Sequence, residues 1–186
     1  MRIKYLCLLF ISFFVIACPA EPTYFDDQMH WLEENEIDYE RVAIESEASP
    51  EFNAPIIATS IQKSEKPVLL ITHSKGGIDS LEALLRNDDL AKKVKGWIPI
   101  QAPFFGSPIA DWVIERSNLS TLAFNLLEQL GGTEESLQSL KTDIRIEYLK
   151  QTKEKIIKLI ETIKIISFTS WKEDEGWDWD TLLEKL

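Results

Sequence analysis

The stretch Val68-Leu69-Leu70-Ile71-Thr72-His73-Ser74-Lys75-Gly76-Gly77 holds the side chain best placed for chemistry. Four apolar residues, the composition of a strand buried on both faces, lead through Thr72-His73 to a turn with Ser74 at its apex, and a helical pattern starts at once. Thr72-His73-Ser74-Lys75-Gly76 is the Gly-x-Ser-x-Gly pattern with Thr in the first place. A serine on such a bend projects its hydroxyl above the sheet. At the start of a helix it also sits in a field that favours developing negative charge. The chemistry that follows is nucleophilic attack on an acyl carbon. The blander alternative is a serine that only caps the helix. Lys75 is expected to face solvent.

The elements that must hold this bend can be read on either side of it. A helix is expected over Phe25 to Asn35, with Phe25, Met29 and Leu32 on one side, then a short strand Arg41 to Ile44. Ser49-Pro50 starts a second helix, with a capping hydroxyl followed by a residue pre-set for the first turn. Phe52, Ile56, Ile57 and Ile61 form its apolar face, and Lys66-Pro67 stops it. After Ser74 a helix runs to about Asn87, with Ile78, Leu81, Leu84 and Leu85 inward, and Trp97 to Gln101 is the next strand. Strands and helices alternating at short intervals specify an α/β fold with a mostly parallel sheet flanked by helices.

The rhythm changes near residue 110. Leu119, Leu122, Ala123, Leu126, Leu127 and Leu130 recur at steps of three and four, and Gly131-Gly132 ends that helix. Thr133 caps another, with Leu137, Leu140 and Ile144 inward, and a third carries Ile156, Ile157, Ile160 and Ile163. Ile165 to Phe168 reads as a strand, so residues of about 110–162 form a helical insertion between two strands. Lys150, Lys153, Lys155, Lys158 and Lys164 give the last of these helices a basic face, suited to a membrane surface or simply to water.

Composition bounds the rest. The 186 residues are 45% hydrophobic and 27% charged, with a net charge of −11, proportions of one globular domain that repels phosphate backbones. Nucleic acid is therefore excluded as a partner, and no metal-ligand cluster, phosphate loop or cofactor motif is present. Arg2 and Lys4 precede an apolar run from Tyr5 to Ala17, too short to span a bilayer but suited to an export signal. Val15-Ile16-Ala17-Cys18 resembles a bacterial lipoprotein signal, which implies cleavage after residue 17, acylation of Cys18 and anchoring of the domain 18–186 in a bacterial cell envelope. The competing reading leaves the segment uncleaved, with residues 13–17 a core strand.

Two motifs in order then carry a family resemblance. His73-Ser74-Lys75-Gly76-Gly77 with Asp79-Ser80-Leu81 resembles the nucleophile elbow of the α/β-hydrolase superfamily, in its lipase-like bacterial members. Gln101-Ala102-Pro103-Phe104-Phe105-Gly106-Ser107-Pro108-Ile109-Ala110-Asp111 is similar to the segment after the next strand of those lipases. The resemblance implies Ser74 as nucleophile, the backbone N–H of Lys75 as oxyanion donor, and Phe104 and Phe105 in the substrate pocket. It also implies a lid-like role for the helical insertion, a lipid or small ester as substrate, and no cofactor. Asp111 reads equally as a helix-start carboxylate and takes no catalytic role.

The base is missing from this pattern. The fold's order is Ser, then Asp or Glu, then His, yet the two histidines are His30 and His73, neither beyond the elbow. Asp174, Asp178 and Asp180 are weak candidates for the acid. If residues 13–17 are the early strand, Cys18-Pro19-Ala20 stands where the family has a glycine-containing loop, and a proline donates no N–H. The expectation is a lipase- or esterase-like serine hydrolase on a partial, truncated fold, weakly active or inactive. The alternatives are a non-catalytic lipid-anchored lipoprotein that keeps an acyl-binding pocket, and an active enzyme with an unrecognised base, for which a second copy is one source.

Overall fold

A computed structural model of the chain describes residues 12–17, 25–45, 47–117 and 134–169. Five strands form one parallel sheet: β1 (Ser12–Ala17), β2 (Tyr39–Ala43), β3 (Val68–His73), β4 (Val94–Ile100) and β5 (Lys164–Ile165), in the order β2-β1-β3-β4-β5. Between them run α1 (Asp26–Glu34), α2 (Pro50–Lys63), α3 (Lys75–Arg86) and α4 (Asp88–Lys93). After β4 come α5 (Pro108–Ser117), α6 (Glu134–Gln138), α7 (Thr142–Gln151) and α8 (Lys153–Thr162).

Strand order dictates where the helices lie. Parallel crossovers are right-handed, so a step to one side puts the helix on one face and a step to the other side puts it on the opposite face. Only β1 to β2 steps outward in its direction, and α1 accordingly lies on the other face: Phe25 and Met29 pack on Ile71 and Ile100. The remaining crossovers step the other way. Ile57 and Ile61 of α2, Leu81 and Leu84 of α3, and Leu159 and Ile163 around α8 close one cluster over Val68, Leu70 and Trp97. β3 shows the division residue by residue, with Val68, Leu70 and Thr72 buried and Leu69, Ile71 and His73 half-buried.

Residues 12–17 pair on both edges, with β2 and with β3. Removing the first seventeen residues would take out an interior strand and leave two facing edges without hydrogen-bond partners. Cys18, Pro19, Ala20 and the candidate acids Asp174, Asp178 and Asp180 lie outside the described residues, as does the whole leucine-rich helix expected from Leu119 to Leu130.

Three helix faces differ from the expectation. In α2 the inward stripe is Asn53, Ala54, Ile57 and Ile61, while Phe52 is exposed, because Pro50 as the first helical residue sets the rotation of the helix. In α8 Leu159 and Ile163 are buried while Ile157 and Ile160 face out, since one helix buries only one stripe. Ile144 on α7 is likewise exposed. α8 leads into the β5 edge and packs beside α3 and α4, so this part of the insertion is a crossover helix of the core layer. Among the described residues the insertion holds no strand, and no helix is long and apolar enough to cross a membrane. The last strand is shorter than expected: it pairs at Lys164 and Ile165, and the ladder resumes only at the Phe168 bridge to Ile100.

Candidate active site

β3 and β1 are the strands from which consecutive connections depart in opposite directions, and the crevice outside their carboxyl ends is where open parallel sheets bind ligands. Ser74 stands at that point, directly after β3 and half-buried. Its backbone has φ 52° and ψ −128°, a left-handed corner that non-glycine residues rarely occupy. The Ser74 N–H donates to Ile100 O at 2.9 Å, and its own carbonyl accepts from Gly77 N at 3.0 Å. Both bonds hold the corner between the end of β4 and the first turn of α3. The Lys75 N–H opens the helix, where no intrahelical acceptor exists for it. Ser74 makes no side-chain cap bond to α3, so the capping role is not the one its hydroxyl plays.

Gly77 shows why the residues after the serine are small. A Cβ there would come within 2.5 Å of the Ala102 Cβ, so α3 reaches the loop after β4 only without a side chain. Thr72, where the common pattern has glycine, is fully buried and uses its hydroxyl: Trp97 Nε1 donates to Thr72 Oγ1 at 3.0 Å. The Trp97 ring in turn meets Phe104 edge-on, with centroids 5.7 Å apart. Phe104 and Phe105 therefore part company: Phe104 joins the core cluster and Phe105 is 73% exposed.

The expectation for the Lys75 side chain is overturned. It is only 4% exposed, and Nζ donates to Asp79 Oδ1 at 2.8 Å and Oδ2 at 3.1 Å. α2 crosses over the first turn of α3, and one turn on, Asp79 supplies the counter-charge that lets the cation be enclosed. Asn53 Nδ2 donates to Asp79 Oδ2 at 3.0 Å and to Glu45 O at 2.8 Å, while Glu45 N donates to Asn53 Oδ1 at 3.0 Å. Burial pushes the Asp79 carboxyl above its ordinary range; Lys75 and the Asn53 amide pull it back in part, and Glu51 from α2 pushes the same way as burial. Arg145 on α7 also feels the Asp79 charge.

That direction fixes a pH dependence. An acid whose folded value is raised binds more protons folded than unfolded, so its contribution to stability is full below the unfolded value and declines as pH rises through the folded one. Asp79→Asn removes that decline. The melting midpoint of the parent minus that of the variant is expected to fall as pH is raised from about 4 towards neutrality. A difference that grows with pH would contradict it.

The second motif docks the insertion. Asp111 accepts from Thr142 N at 2.9 Å through Oδ1 and from the Thr142 hydroxyl through Oδ2, so it serves the helix start of α7 as well as lying in the first turn of α5. Ser107 N donates to Leu140 O at 2.8 Å. Arg145 of α7, almost fully buried, donates from Nε to Phe104 O at 3.3 Å and lies over the Tyr148 ring at 4.4 Å. The Tyr148 hydroxyl donates to Glu82 of α3, and burial together with that carboxylate pushes the phenol up. Sequence reasoning missed Asn53 and Arg145 and named Asp79 only as part of the elbow motif. For Asp79 the signal was a Lys and an Asp four residues apart.

His30 does not reach the serine. It sits exposed on α1 with Nε2 3.3 Å from Glu34. His73 is the last residue of β3, on the α1 face with Ile71. No cluster of three or more His, Cys, Asp or Glu suited to a metal exists among the described residues.

Comparison with known proteins agrees with this geometry. The family model for lecithin:cholesterol acyltransferase matches residues 47–160, which span the elbow, the second motif and most of the insertion. No curated protein matches the sequence. Among solved structures, the mature form of a Bacillus licheniformis lipase superposes with a TM-score of 0.69 at 22% identity over 85% of this chain and 64% of that one. A metagenomic carboxyl esterase gives 0.71 at 23% identity over 96% of this chain and 56% of that one. A phospholipase from Legionella pneumophila gives 0.63 at 15% identity over 90% and 40%. The chain thus spans less than two thirds of the length of each. With more than half of its own length matched by the family model, it belongs to the lecithin:cholesterol acyltransferase family, and its sheet and flanking helices are those of a partial α/β-hydrolase fold.

Proposed function

We propose that the chain is a lipase- or esterase-like serine hydrolase that acts on carboxylic esters of lipid or small-molecule type, with Ser74 as nucleophile and the Lys75 N–H as one oxyanion donor. The observation that carries this reading is the left-handed Ser74 corner between β3 and α3 at the sheet's switch point. The names of the fold relatives, a lipase, a carboxyl esterase and a phospholipase, point to the same class of substrate. With His30 exposed on α1 and His73 ahead of the elbow, where the fold's order does not put the base, turnover by the 186-residue chain is expected to be weak. Oxyanion stabilisation and binding alone leave about 10³–10⁴-fold over water in serine proteases stripped of their triad.

For localisation, the lipoprotein-like signal supports export and anchoring through an acylated Cys18, and the competing reading leaves the segment uncleaved as a core strand. The interior place of β1 favours a chain that keeps residues 12–17 with its folded domain, since cleavage would empty the centre of the sheet.

A fluorophosphonate probe tests the chemistry without requiring turnover. Incubation of the purified chain is expected to give one adduct, located on Ser74 by peptide mass. An adduct elsewhere, or none, refutes the reading.

A further inference from the structure

We propose that Lys75, Asp79 and Asn53 form a buried brace that sets the direction of the Lys75 N–H beside Ser74, which makes the Lys75 side chain a positioning residue for the ester chemistry. The inference rests on the hydrolase reading above and deepens it. Three fragments of the fold meet in the brace: the first turn of α3, the start of α2 through Asn53, and the segment after β2 through both backbone groups of Glu45. Every polar group in it has a partner. Asp79 accepts from Lys75 and Asn53, and Asn53 both donates to and accepts from Glu45.

Stability alone does not account for it. A cation in the first turn of a helix opposes the helix dipole, and lysine is among the residues least often enclosed. Burial raises the Asp79 carboxyl even with Lys75 beside it. Buried pairs of this kind can be replaced by apolar residues with little loss of stability and often a gain. What the brace does supply is fixed torsion at the residue next to the nucleophile. An oxyanion donor works only within a few tenths of an ångström of its position, and the Lys75 side chain leaves the Cα bonded to the nitrogen that carries that donor. With Nζ held by Asp79, the amine is also kept from acting as a base for Ser74.

The test compares the rate of fluorophosphonate labelling at Ser74 in the 186-residue chain with that of the double variant Lys75→Met/Asp79→Leu. Thermal midpoints are measured on both. The double variant is expected to melt at or above the parent's midpoint. Its labelling rate at saturating probe is expected to fall at least about tenfold with little change in half-saturating concentration, because a misaimed donor slows the step and not the binding. An unchanged rate in the folded double variant overturns the brace and leaves the hydrolase reading intact. No Ser74 adduct on the parent overturns both. Should the double variant fail to fold, Asn53→Ala, which keeps the Lys75–Asp79 pair and cuts its tie to Glu45, decides the matter by the labelling rate: a fall is expected, and an unchanged rate overturns the brace.

Discussion

Ser74→Gly is expected to abolish fluorophosphonate labelling and at the same time raise the melting midpoint. Ser74 holds φ 52° and ψ −128°. This is a corner that a side chain makes costly, by about 1–3 kcal/mol, and that glycine adopts freely. Glycine returns some of the gain, about 0.5–1 kcal/mol, through the greater freedom of the unfolded chain. The net is about 1 kcal/mol of added stability, a rise of about 2–4 °C for a chain of this size. Ser74→Ala separates the two effects. It also removes the hydroxyl and therefore all labelling, but its Cβ keeps the strain, so its midpoint should stay close to the parent's. A parent chain that outlasts Ser74→Gly would show the corner to be relaxed. Labelling that survives in Ser74→Ala would place the nucleophile at another residue. The two variants together ask whether this fold stores strain where its chemistry is expected, which is the usual place for it.

The same corner explains why so much of the fold could be read in advance. Val68 to Ile71, the bend at Ser74 and the helix to Arg86 are consecutive, and their pattern needs only local rules. Ser49-Pro50 is likewise local: Pro50 is the first residue of α2 and the Ser49 hydroxyl accepts from Phe52 N. The unread features are those that distant segments decide. Phe13-Phe14-Val15-Ile16 has the composition of an export signal and of a buried strand alike. What pairs it as β1 is the gap between β2 and β3, and neither lies near it in sequence. Lys75 reads as a surface lysine until α2 is laid across it, and Asn53, the residue that completes its brace, is 26 positions from Asp79. Asp111 was legible as a helix-start carboxylate. The helix it serves besides its own begins 31 residues later, beyond a segment whose length no periodicity constrains.

Gly106→Ala should lower the melting midpoint more than any other substitution in the second motif. Gly106 has φ +98°, where an alanine is strained by about 1–3 kcal/mol. A Cβ at this position would also stand 2.4 Å from the Thr142 Cα and 2.7 Å from its nitrogen, and these backbone atoms are not free to yield. Thr142 is held by both oxygens of Asp111, and Ser107 N holds Leu140 two residues before it. The loop after β4 and the start of α7 would have to separate, at a further cost of about 1–3 kcal/mol. The sum is about 4 kcal/mol, a drop of about 8–16 °C by the size scaling of unfolding entropy. Asp111→Ala removes the same contact without strain or overlap, and its cost should stay nearer that of a lost cap, about 1–2 kcal/mol. Thermal scans of the two variants side by side separate the readings. If Gly106→Ala loses no more than Asp111→Ala, the closeness of Thr142 is not what requires glycine. If it loses several times more, the Gly-Ser and Ala-Asp pairs of this family motif act as a clasp that binds the helical insertion to the edge of the site.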